Sequence, residues 1–315
     1  MKVDVILISY NQEKYIAQAL NSILMQRVED DVQLRVIIAD DCSTDSTLDI
    51  IKNIDSKQYE MVSDIALTRQ QALELHLAKQ FVYLQSDHNL GISKNYKRAF
   101  EVCDGDYIAI LEGDDFWSSP YHIEQHIRFL DSHRECSMSM NKITYLKQER
   151  SEFIAPIWDY KEDVRYVDTE TQIASGNQLG NLSACVFRGL CIHALPLSLY
   201  EMSIADWMLG VMLSQQGLLA ILKESTSVYR TNENSQWASL TPDEQRKRMI
   251  MLARQYDEYQ NGLYRDYWVL FANKLNPIKD SKRKLRDYIP PFFHHLLKSF
   301  CPPILKRKLC IKTSK

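Results

Sequence analysis

The sequence predicts an α/β fold, in which strands and helices are layered, and two observations lead to this prediction. Short β-branched runs alternate with amphipathic helical runs through the first half of the chain. Polar or charged residues follow the end of each predicted strand, which is where parallel α/β sheets place their ligand sites. With 45% apolar and 25% charged residues, the 315-residue chain has the composition of a globular protein.

Four strands are predicted in the first half, over residues 3–9, 34–39, 81–85 and 107–111. Between the first two, Ile16, Leu20 and Ile23 recur at helical spacing, and a second helix opens near Leu48 after a Ser/Thr/Asp-rich segment. After the fourth strand, Ser119 is expected to cap a helix whose first position is Pro120.

The second half has a less regular pattern. Residues 136–175 hold mixed short runs, which indicate an antiparallel extension of the sheet. A helix is predicted over residues 207–216, followed by a strand near residues 218–222. Residues 241–275 are predominantly helical in pattern, with Pro242 in the first turn.

The cysteines and the apolar runs bear on the compartment. Seven cysteines form no CxxC pair and match no zinc signature, and their odd number leaves at least one unpaired, which favours a reducing environment. No run approaches 18 consecutive apolar residues, and the N-terminal residues have the pattern of a strand instead of a signal peptide. We therefore expect a cytoplasmic location.

The C-terminal tail, from residue 277 onward, is basic and aromatic. Eleven Lys or Arg residues stand against two Asp residues between positions 279 and 315, although the whole chain carries a net charge of only −3. Phe292, Phe293 and Phe300 are interleaved with these cations, a pattern typical of segments that bind anionic membrane surfaces. A solvated terminus or an oligomer contact is the alternative, and nucleic acid is disfavoured because no matching motif accompanies the charge.

Three carboxylates, Glu112, Asp114 and Asp115, are crowded into the sequence LEGDDFW at the end of the fourth predicted strand. Like charges in this position repel one another and gain nothing from burial. A solvated acidic turn is one interpretation, and a site for a divalent cation is the other. Because polar segments follow four successive strands (ISYN, IIADDCSTDST, SDHNLGISKN and LEGDDFW), a shared site is favoured over four unrelated turns.

The order and the residue patterns of these segments resemble those of the inverting family 2 glycosyltransferases of the GT-A fold, as found in bacterial cell-surface polysaccharide and O-antigen synthesis. The matching segments are residues 10–11, 40–45, 89–91, 112–115, 206–207 and 229–232. The resemblance spans residues 1–238 and implies a Rossmann-like mixed sheet flanked by helices. It implies a catalytic domain over residues 1–240, divided near residue 115 into a nucleotide-binding and an acceptor-binding half. Residues 241–315 are then a helical C-terminal extension that ends in the basic, aromatic tail.

The resemblance implies a nucleotide-diphosphate sugar as donor, with a UDP-sugar preferred, and Mn²⁺ or Mg²⁺ as cofactor. No P-loop pattern supplies backbone amides for the diphosphate, so a hard cation held by carboxylates would neutralise it. By resemblance, Asp115 is the main metal ligand, Asp114 lies close to the ribose or the metal, and Glu112 replaces the family's first Asp. The donor-binding residues implied in this way are Ser9, Tyr10, Asn11, Asp40, Asp41, Asn89, Gly91, Lys94, Asp114 and Arg230.

Three of these implied roles have a stated chemical basis. Tyr10 offers a ring face for stacking on the nucleobase, although a packed aromatic at a strand end is the alternative. Asp41 can accept a hydrogen bond from a base imide. Arg230 is available for a phosphate, while Asn232 stands where the family has His.

On the acceptor side, the resemblance implies Asp206 as the general base that takes the proton of the acceptor hydroxyl. A simple helix N-cap is the alternative role for Asp206. Trp207, Asn181 and Ser183 fall on the same side by resemblance. The implied acceptor is a saccharide, carried on a polyprenyl-diphosphate lipid, which would fit a peripheral location on the cytoplasmic face of the inner membrane.

Other classes of protein fit the sequence less well. A haloacid-type phosphatase needs DxDx[TV], but Cys42 stands where its second Asp is required, and a receiver domain leaves the Asp206 segment unexplained. A dinucleotide dehydrogenase would need GxGxxG after the first strand. The remaining alternative is a catalytically inactive sugar-nucleotide-binding module, which would keep Tyr10 and Asp41 but not the metal or the base.

Overall fold

Within the described residues, ten strands join in one mixed sheet at the centre of the fold. The computed structural model describes residues 1–55, 80–84, 86–157, 159–202, 206–231, 237 and 240–275. The strands are β1 Lys2–Ser9, β2 Gln33–Asp40, β3 Gln80–Leu84, β4 Tyr107–Glu112, β5 Phe116–Trp117, β6 Cys136–Lys147, β7 Glu152–Ile154, β8 Val164–Val167, β9 Cys185–Arg188 and β10 Leu218–Thr231. The sheet order is β3-β2-β1-β4-β9-β6-β10-β5, with β7 beside β6 and β8 beside β10.

Helices connect most of these strands. They are α1 Ile16–Leu24, α2 Thr47–Asp55, α3 Ile92–Val102, α4 His122–Ser132, α5 Thr169–Ala174, α6 Gly189–His193, α7 Asp206–Ser214, α8 Pro242–Tyr259 and α9 Arg265–Leu275. Within the described part of the chain, no helix is long and apolar enough to cross a membrane. Asn232 and the basic tail lie outside the described residues, so the roles expected of them stay predictions.

The four predicted strands of the first half are confirmed, and all four run parallel in the order β3-β2-β1-β4. Parallel strands are covered on both faces, and β1 is buried along nearly its whole length. The predicted stripe of α1 packs against this sheet through Ile16, Leu20 and Ile23, which are 0–1% exposed. Each such buried side chain contributes about 1.5–3 kcal/mol relative to exposure. All four strands therefore end at the same edge of the sheet.

Beyond β4 the sheet becomes mixed, as the pattern of residues 136–175 indicated. Strand β9 is antiparallel to β4 and to β6, and β6 is parallel to β10. Strand β10 has 14 residues, much longer than the predicted strand at 218–222. Its register shifts between Leu222 and Ser227, which lets the strand continue to Thr231 after an irregularity. Arg230 therefore belongs to a strand and not to a loop.

The segment after the acidic cluster differs from the prediction, because α4 begins at His122 with Tyr121 as its N-cap. Ser119 and Pro120 thus precede the helix. Upstream, β5 pairs with β10, and the amide of Ser118 donates to the carbonyl of Thr226 at 3.0 Å. These long-range hydrogen bonds keep the chain extended, and the expectation from capping propensity was wrong.

The described chain divides into two compact units. The first unit comprises residues 1–172 and 177–238 and contains the sheet; the second comprises residues 173–176 and the chain from 239 onward. In the second unit, α8 begins with a capping box between Thr241 and Glu244 and has Pro242 in its first turn, as predicted. The rings of Tyr256 and Trp268 pack 5.8 Å apart between α8 and α9. The catalytic and extension roles expected of these parts stay predictions.

Candidate active site

The loops that follow β1 and β2 are joined by a network centred on Asp40. Its carboxylate accepts hydrogen bonds from the hydroxyl of Ser9 at 2.9 Å and from the backbone N–H of Ser43 at 2.8 Å. The side chain of Asn11 accepts from the amide of Thr44 at 2.8 Å, and Asn11 adopts a positive φ of 53°. Ser9 and Asp40 are buried, so they hold the two loops together instead of facing a ligand.

Asp41 connects the end of β2 to the loop between β3 and α3 in a similar way. Its two carboxylate oxygens accept the amides of Leu90 at 2.8 Å and Gly91 at 2.9 Å. Asn89 supports the same turn, because its Oδ1 also accepts the Gly91 amide, at 3.0 Å. Gly91 has a φ of 82°, where a side chain would be strained, and it directly precedes α3. Asp41 thus fixes the start of α3.

Four of the predicted donor-binding residues are exposed, namely Tyr10, Asn11, Asn89 and Lys94. The ring of Tyr10 is 45% exposed, which agrees with the predicted stacking face and not with a packed aromatic. Lys94 lies on the first turn of α3 and is exposed. Tyr10 and Lys94 are therefore accessible to a ligand.

The acidic cluster lies at the end of β4, and its three carboxylates converge. Ligand atoms of Glu112, Asp114 and Asp115 all lie within 4.8 Å of one another. Burial, followed by the charges of Asp114 and Glu112, holds the pKa of Asp115 well above its usual range. This arrangement excludes the interpretation as a solvated acidic turn.

Asp115 is buried and firmly held. Its Oδ2 accepts hydrogen bonds from Asn181 Nδ2 at 2.9 Å and from the Ser183 hydroxyl at 2.7 Å. Its Oδ1 accepts the backbone N–H of Arg230 at 2.9 Å. Three donors on one buried carboxylate fix its position and leave less of it available to a ligand than the sequence suggested.

Glu112 is half-buried between two partners. Its Oε1 accepts the hydroxyl of Tyr96 at 2.9 Å, and its Oε2 lies 3.3 Å from Asn181 Nδ2. Burial, and then the charge of Asp114, raise the pKa of Glu112 to about 7. The charge of Asp206 contributes to the same shift, so Asp206 is electrostatically part of this cluster.

Asp114 is half-buried, and burial raises the pKa of its carboxyl above the usual range. The charge of Arg230 and a hydrogen bond from Gln12 act in the opposite sense. Unlike that of Asp115, its carboxylate receives no bond from Asn181 or Ser183. Asp114 is thus the more accessible of the two aspartates.

Arg230 is buried at 4% exposure, and each of the three guanidinium nitrogens donates a hydrogen bond. Nε donates to the carbonyl of Asp114 at 2.7 Å, and the two terminal nitrogens donate to the side-chain oxygens of Gln148 and Gln18. The guanidinium also lies 4.6 Å from the centre of the Tyr15 ring. This environment does not support the predicted phosphate contact; Arg230 braces the loop that carries the acidic cluster.

Asp206 is the first residue of α7. Its Oδ1 accepts the amide of Trp207 at 2.9 Å, and its Oδ2 accepts Asn177 Nδ2 at 2.7 Å. Burial raises the pKa of Asp206 above its usual value, while these two donors counteract part of that effect. The position at a helix start and the electrostatic contact with Glu112 coexist in one residue.

The three residues predicted on the acceptor side, Trp207, Asn181 and Ser183, are all buried. Trp207 is 1% exposed and its indole N–H donates to the carbonyl of Gln172 at 2.8 Å, so it packs in the core. Asn181 and Ser183 are 5% and 1% exposed and contact the acidic cluster. None of the three lines an accessible acceptor surface, because burial and internal hydrogen bonds already engage them.

Three residues of the site were not predicted from the sequence. Tyr96 contacts Glu112, Asn177 contacts Asp206, and Arg98 donates to the carbonyl of Asp40 and, at 2.7 Å, to Asn95 Oδ1. Arg98 lies four positions after Lys94 on α3, and this helical spacing was the available signal; Tyr96, two positions after Lys94, lies on a different side of the helix and had no such signal. Asn177 follows a glycine in an irregular segment, where no pattern marks it.

Comparison with known proteins identifies the family. Residues 4–180 match Glycosyl transferase family 2, which covers more than half of the 315 residues. The chain therefore belongs to glycosyl transferase family 2, a family of transferases, as the motifs predicted.

Relatives of known sequence agree with this assignment. An uncharacterized protein of Mycobacterium tuberculosis, Rv1520, is 29% identical over 244 residues, which are 76% of this chain and 62% of that protein. The chain thus spans less than two thirds of the length of this relative. TuaG of Bacillus subtilis, named for a glycosyltransferase of teichuronic acid biosynthesis, is 31% identical over 147 residues, or 47% of this chain and 48% of TuaG.

Solved structures confirm the predicted GT-A fold. TarS 1-349 of S. aureus in complex with UDP-GlcNAc superimposes with a TM-score of 0.60 at 20% identity, covering 98% of this chain and 84% of TarS 1-349. The mannosyltransferase PcManGT of Pyrobaculum calidifontis, in complex with GDP-Man and Mn²⁺, gives a TM-score of 0.52 at 13% identity, covering 98% and 84%.

Proposed function

We propose that the chain is a metal-dependent, inverting glycosyltransferase that moves a sugar from a nucleotide-diphosphate donor to a saccharide hydroxyl. The observation that carries this proposal is the convergence of Glu112, Asp114 and Asp115 at the end of β4, where their ligand atoms lie within 4.8 Å of one another. A donor-binding group and a proton acceptor are needed on the two sides of the transferred sugar, and the charge of Asp206 acts on Glu112.

The acidic cluster fits a hard divalent cation, Mn²⁺ or Mg²⁺. Carboxylate oxygens are the ligands that these cations prefer, and three of them converge within 4.8 Å. When bound, the cation would supply positive charge for the diphosphate of the donor. We assign Asp114 and Glu112 as the accessible ligands. Asp115 would contribute Oδ1 only, because its Oδ2 accepts two hydrogen bonds already.

The donor is proposed to be a UDP-sugar. TarS 1-349 has been solved with UDP-GlcNAc, and PcManGT with GDP-Man, so both nucleotides occur on this fold. The exposed ring of Tyr10 is proposed to stack on the base. The turn fixed by Asp41, with exposed Lys94 on the following helix, would border the same ligand.

Asp206 is proposed to act as the general base. Asn177 and the Trp207 amide each donate to one of its carboxylate oxygens, which orients the carboxylate while leaving lone pairs for the acceptor hydroxyl. Its pKa is raised by burial, which makes the carboxylate a stronger proton acceptor. One carboxylate is sufficient because a nucleotide diphosphate leaves without protonation by an acid, unlike the leaving group in glycoside hydrolysis.

The acceptor is proposed to be a growing cell-surface saccharide on a polyprenyl-diphosphate lipid. The name of TuaG, a relative in part of the chain, concerns teichuronic acid, which supports an acceptor of this general kind. The protein would then work at the cytoplasmic face of the inner membrane, with the basic tail as its contact to anionic lipid.

A panel of nucleotide sugars tests the proposal, with Mn²⁺ present or removed by chelation. We expect turnover of one donor with wild type and a loss of several orders of magnitude in Asp206→Asn, with donor binding retained. The matched control is Asp168→Asn, because Asp168 accepts the amide of Thr171 at 2.8 Å at the start of α5 and is a helix cap only. Thermal melting of both variants is recorded as well, because the side chain in Asp206→Asn can accept only one of the two donors that Asp206 accepts. Wild-type transfer by Asp206→Asn would refute the assignment of the base.

A further inference from the structure

Asn181 forms a bridge between two carboxylates of the acidic cluster. Its Nδ2 donates to Asp115 Oδ2 at 2.9 Å and lies 3.3 Å from Glu112 Oε2. Its Oδ1 accepts the backbone N–H of Ser183 at 2.6 Å. This last bond fixes which end of the amide faces the carboxylates, because only the oxygen can accept from an N–H. Both amide hydrogens are therefore directed at the cluster.

Ser183 forms a second connection between the same two residues. Its hydroxyl accepts the backbone N–H of Glu112 at 3.0 Å and donates to Asp115 Oδ2 at 2.7 Å. The hydroxyl thus links the end of β4 to the carboxylate three positions further on. Ser183 is 1% exposed, which excludes water from these bonds.

The turn that carries both side chains is itself anchored. Residues Leu182–Ala184 form a single 3₁₀ turn directly before β9, which is antiparallel to β4. The indole N–H of Trp117, from β5, donates to the carbonyl of Ser183 at 2.8 Å. The turn is therefore fixed both by β9, which pairs with β4, and by Trp117 of β5. The side chains of Asn181 and Ser183 accordingly have fixed positions relative to the acidic cluster.

We propose that Asn181 and Ser183 are positioning residues for the cation: they hold Glu112 and Asp115 in the arrangement that binds it and thereby set its affinity. Without these donors, three like charges within 4.8 Å would separate by rotating toward solvent. With them, the carboxylates are already together before the cation arrives. The inference rests on the proposed metal dependence and reassigns both residues from the acceptor side, where the sequence placed them.

Direct binding of Mn²⁺ in the presence of UDP tests this inference, measured by isothermal titration calorimetry or by the Mn²⁺ EPR signal. We expect Asn181→Ala to weaken Mn²⁺ binding roughly 10–100-fold, the usual cost of losing a hydrogen-bond partner of a metal ligand. Ser183→Ala is expected to weaken it about tenfold. Ser183→Ala keeps the N-cap of the 3₁₀ turn, because the side chain of Asn181 accepts the backbone N–H of residue 183.

The control is Thr241→Ala, which removes the side-chain cap of α8 outside the site. Asn181→Ala removes both the cap of the 3₁₀ turn and the bridge between Glu112 and Asp115, whereas Thr241→Ala removes only a cap. Thermal melting is recorded for all variants. Wild-type Mn²⁺ affinity in folded Ser183→Ala and Asn181→Ala would overturn the inference while leaving the proposed function intact. Failure of the wild type to bind Mn²⁺ with UDP would instead refute the metal dependence on which both rest.

Discussion

The aspartates at the end of β2 and the acidic residues at the end of β4 lie at the same edge of the sheet, yet their surroundings are opposite. Asp41 accepts two backbone amides of one turn, and Asp40 accepts donors from the loops on either side of it. At the end of β4, three carboxylates converge within 4.8 Å; Asp115 accepts three hydrogen bonds, yet its pKa is held well above its usual range by burial and by the charges of its neighbours.

This difference separates carboxylates that stabilise loops from carboxylates that we propose bind a cation. A carboxylate that accepts several amides is favourable in the folded state, whereas three crowded carboxylates oppose folding unless a cation or a proton joins them. Their retention in a folded protein at a cost in stability is typical of functional sites. The comparison therefore predicts opposite effects when each set is neutralised.

The largest expected effect is at Asp114. Asp114→Asn should weaken Mn²⁺-dependent binding of UDP at least about 100-fold, the upper end of the cost of losing even an outer partner of a metal ligand. Without metal, the same variant should be more stable than wild type by about 1 kcal/mol, because one charge of the cluster is removed. Calorimetry and chemical denaturation measure the two quantities. A less stable variant with unchanged Mn²⁺ binding would contradict both parts.

The next effect is a pH dependence of stability caused by Glu112. Its pKa is raised to about 7 in the folded protein, so between the usual glutamate pKa of 4.5 and this value the folded state holds a proton that the unfolded chain has released. The stabilising effect of this proton is complete at low pH and is lost as the pH rises toward 7. At about 1.4 kcal/mol per pKa unit, it is at most roughly 3–4 kcal/mol.

Buried histidines act in the opposite sense, so a control variant is needed. Burial lowers the pKa of His126 to about 4, and that of His122 is also lowered, so these residues favour folding less as the pH falls. The quantity to measure is the unfolding free energy of wild type minus that of Glu112→Gln, without metal. We expect this difference to fall from pH 5 to pH 7.5; a difference that rises would refute the assignment of the shift to Glu112.

At the end of β2, Asp41→Asn should have the effect opposite to that of Asp114→Asn. Only one of the two amides of Leu90 and Gly91 can then be accepted, and the other faces an NH₂ group. The Gly91 amide keeps its bond to Asn89 Oδ1, so the net loss is one hydrogen bond, and the unfolding free energy should fall by about 1 kcal/mol. Mn²⁺ affinity, measured at a temperature where the variant is folded, should stay within about twofold, a change of less than 1 kcal/mol. A large loss of Mn²⁺ binding would show that the two groups of carboxylates are coupled.

The smallest effect is expected at Tyr10, which is exposed and lies apart from both groups of carboxylates. Tyr10→Leu should weaken UDP binding by about 1 kcal/mol, the lower end of the cost of losing a stacked base. Tyr10→Phe keeps the ring face and should bind UDP like wild type. Stability should change in neither variant by more than about 0.5 kcal/mol. Equal UDP binding by Tyr10→Leu and wild type would exclude a stacking role.

The sequence predicts the parallel half of the fold well because its signals are local. Apolar periodicity defines β1 to β4 and α1, and polar residues after each strand indicate the edge where the site forms. The acidic cluster and Asp206 follow from the same logic together with the family resemblance.

What the sequence could not provide are burial and long-range partners. Trp207 and Arg230 have the residue types expected of ligand contacts, but the folded chain buries both and engages their polar groups. Helix α4 begins later than the sequence predicts because β5 pairs with β10, which lies more than a hundred residues later in the chain. Such pairings depend on the whole sheet and leave no periodic signal.

Arg230 also has a consequence for how the protein is made. Its guanidinium connects to Gln18, 212 positions earlier, and its backbone amide supplies a donor to Asp115. The parallel strands β1 to β4 are complete in the first 112 residues, so a nascent chain can pair them long before residue 230 emerges from the ribosome. Until then the acidic loop has neither its brace nor one of the donors to its buried carboxylate. The proposed cation site is therefore completed late in synthesis, and a prematurely terminated chain carries the acidic motif without its full support.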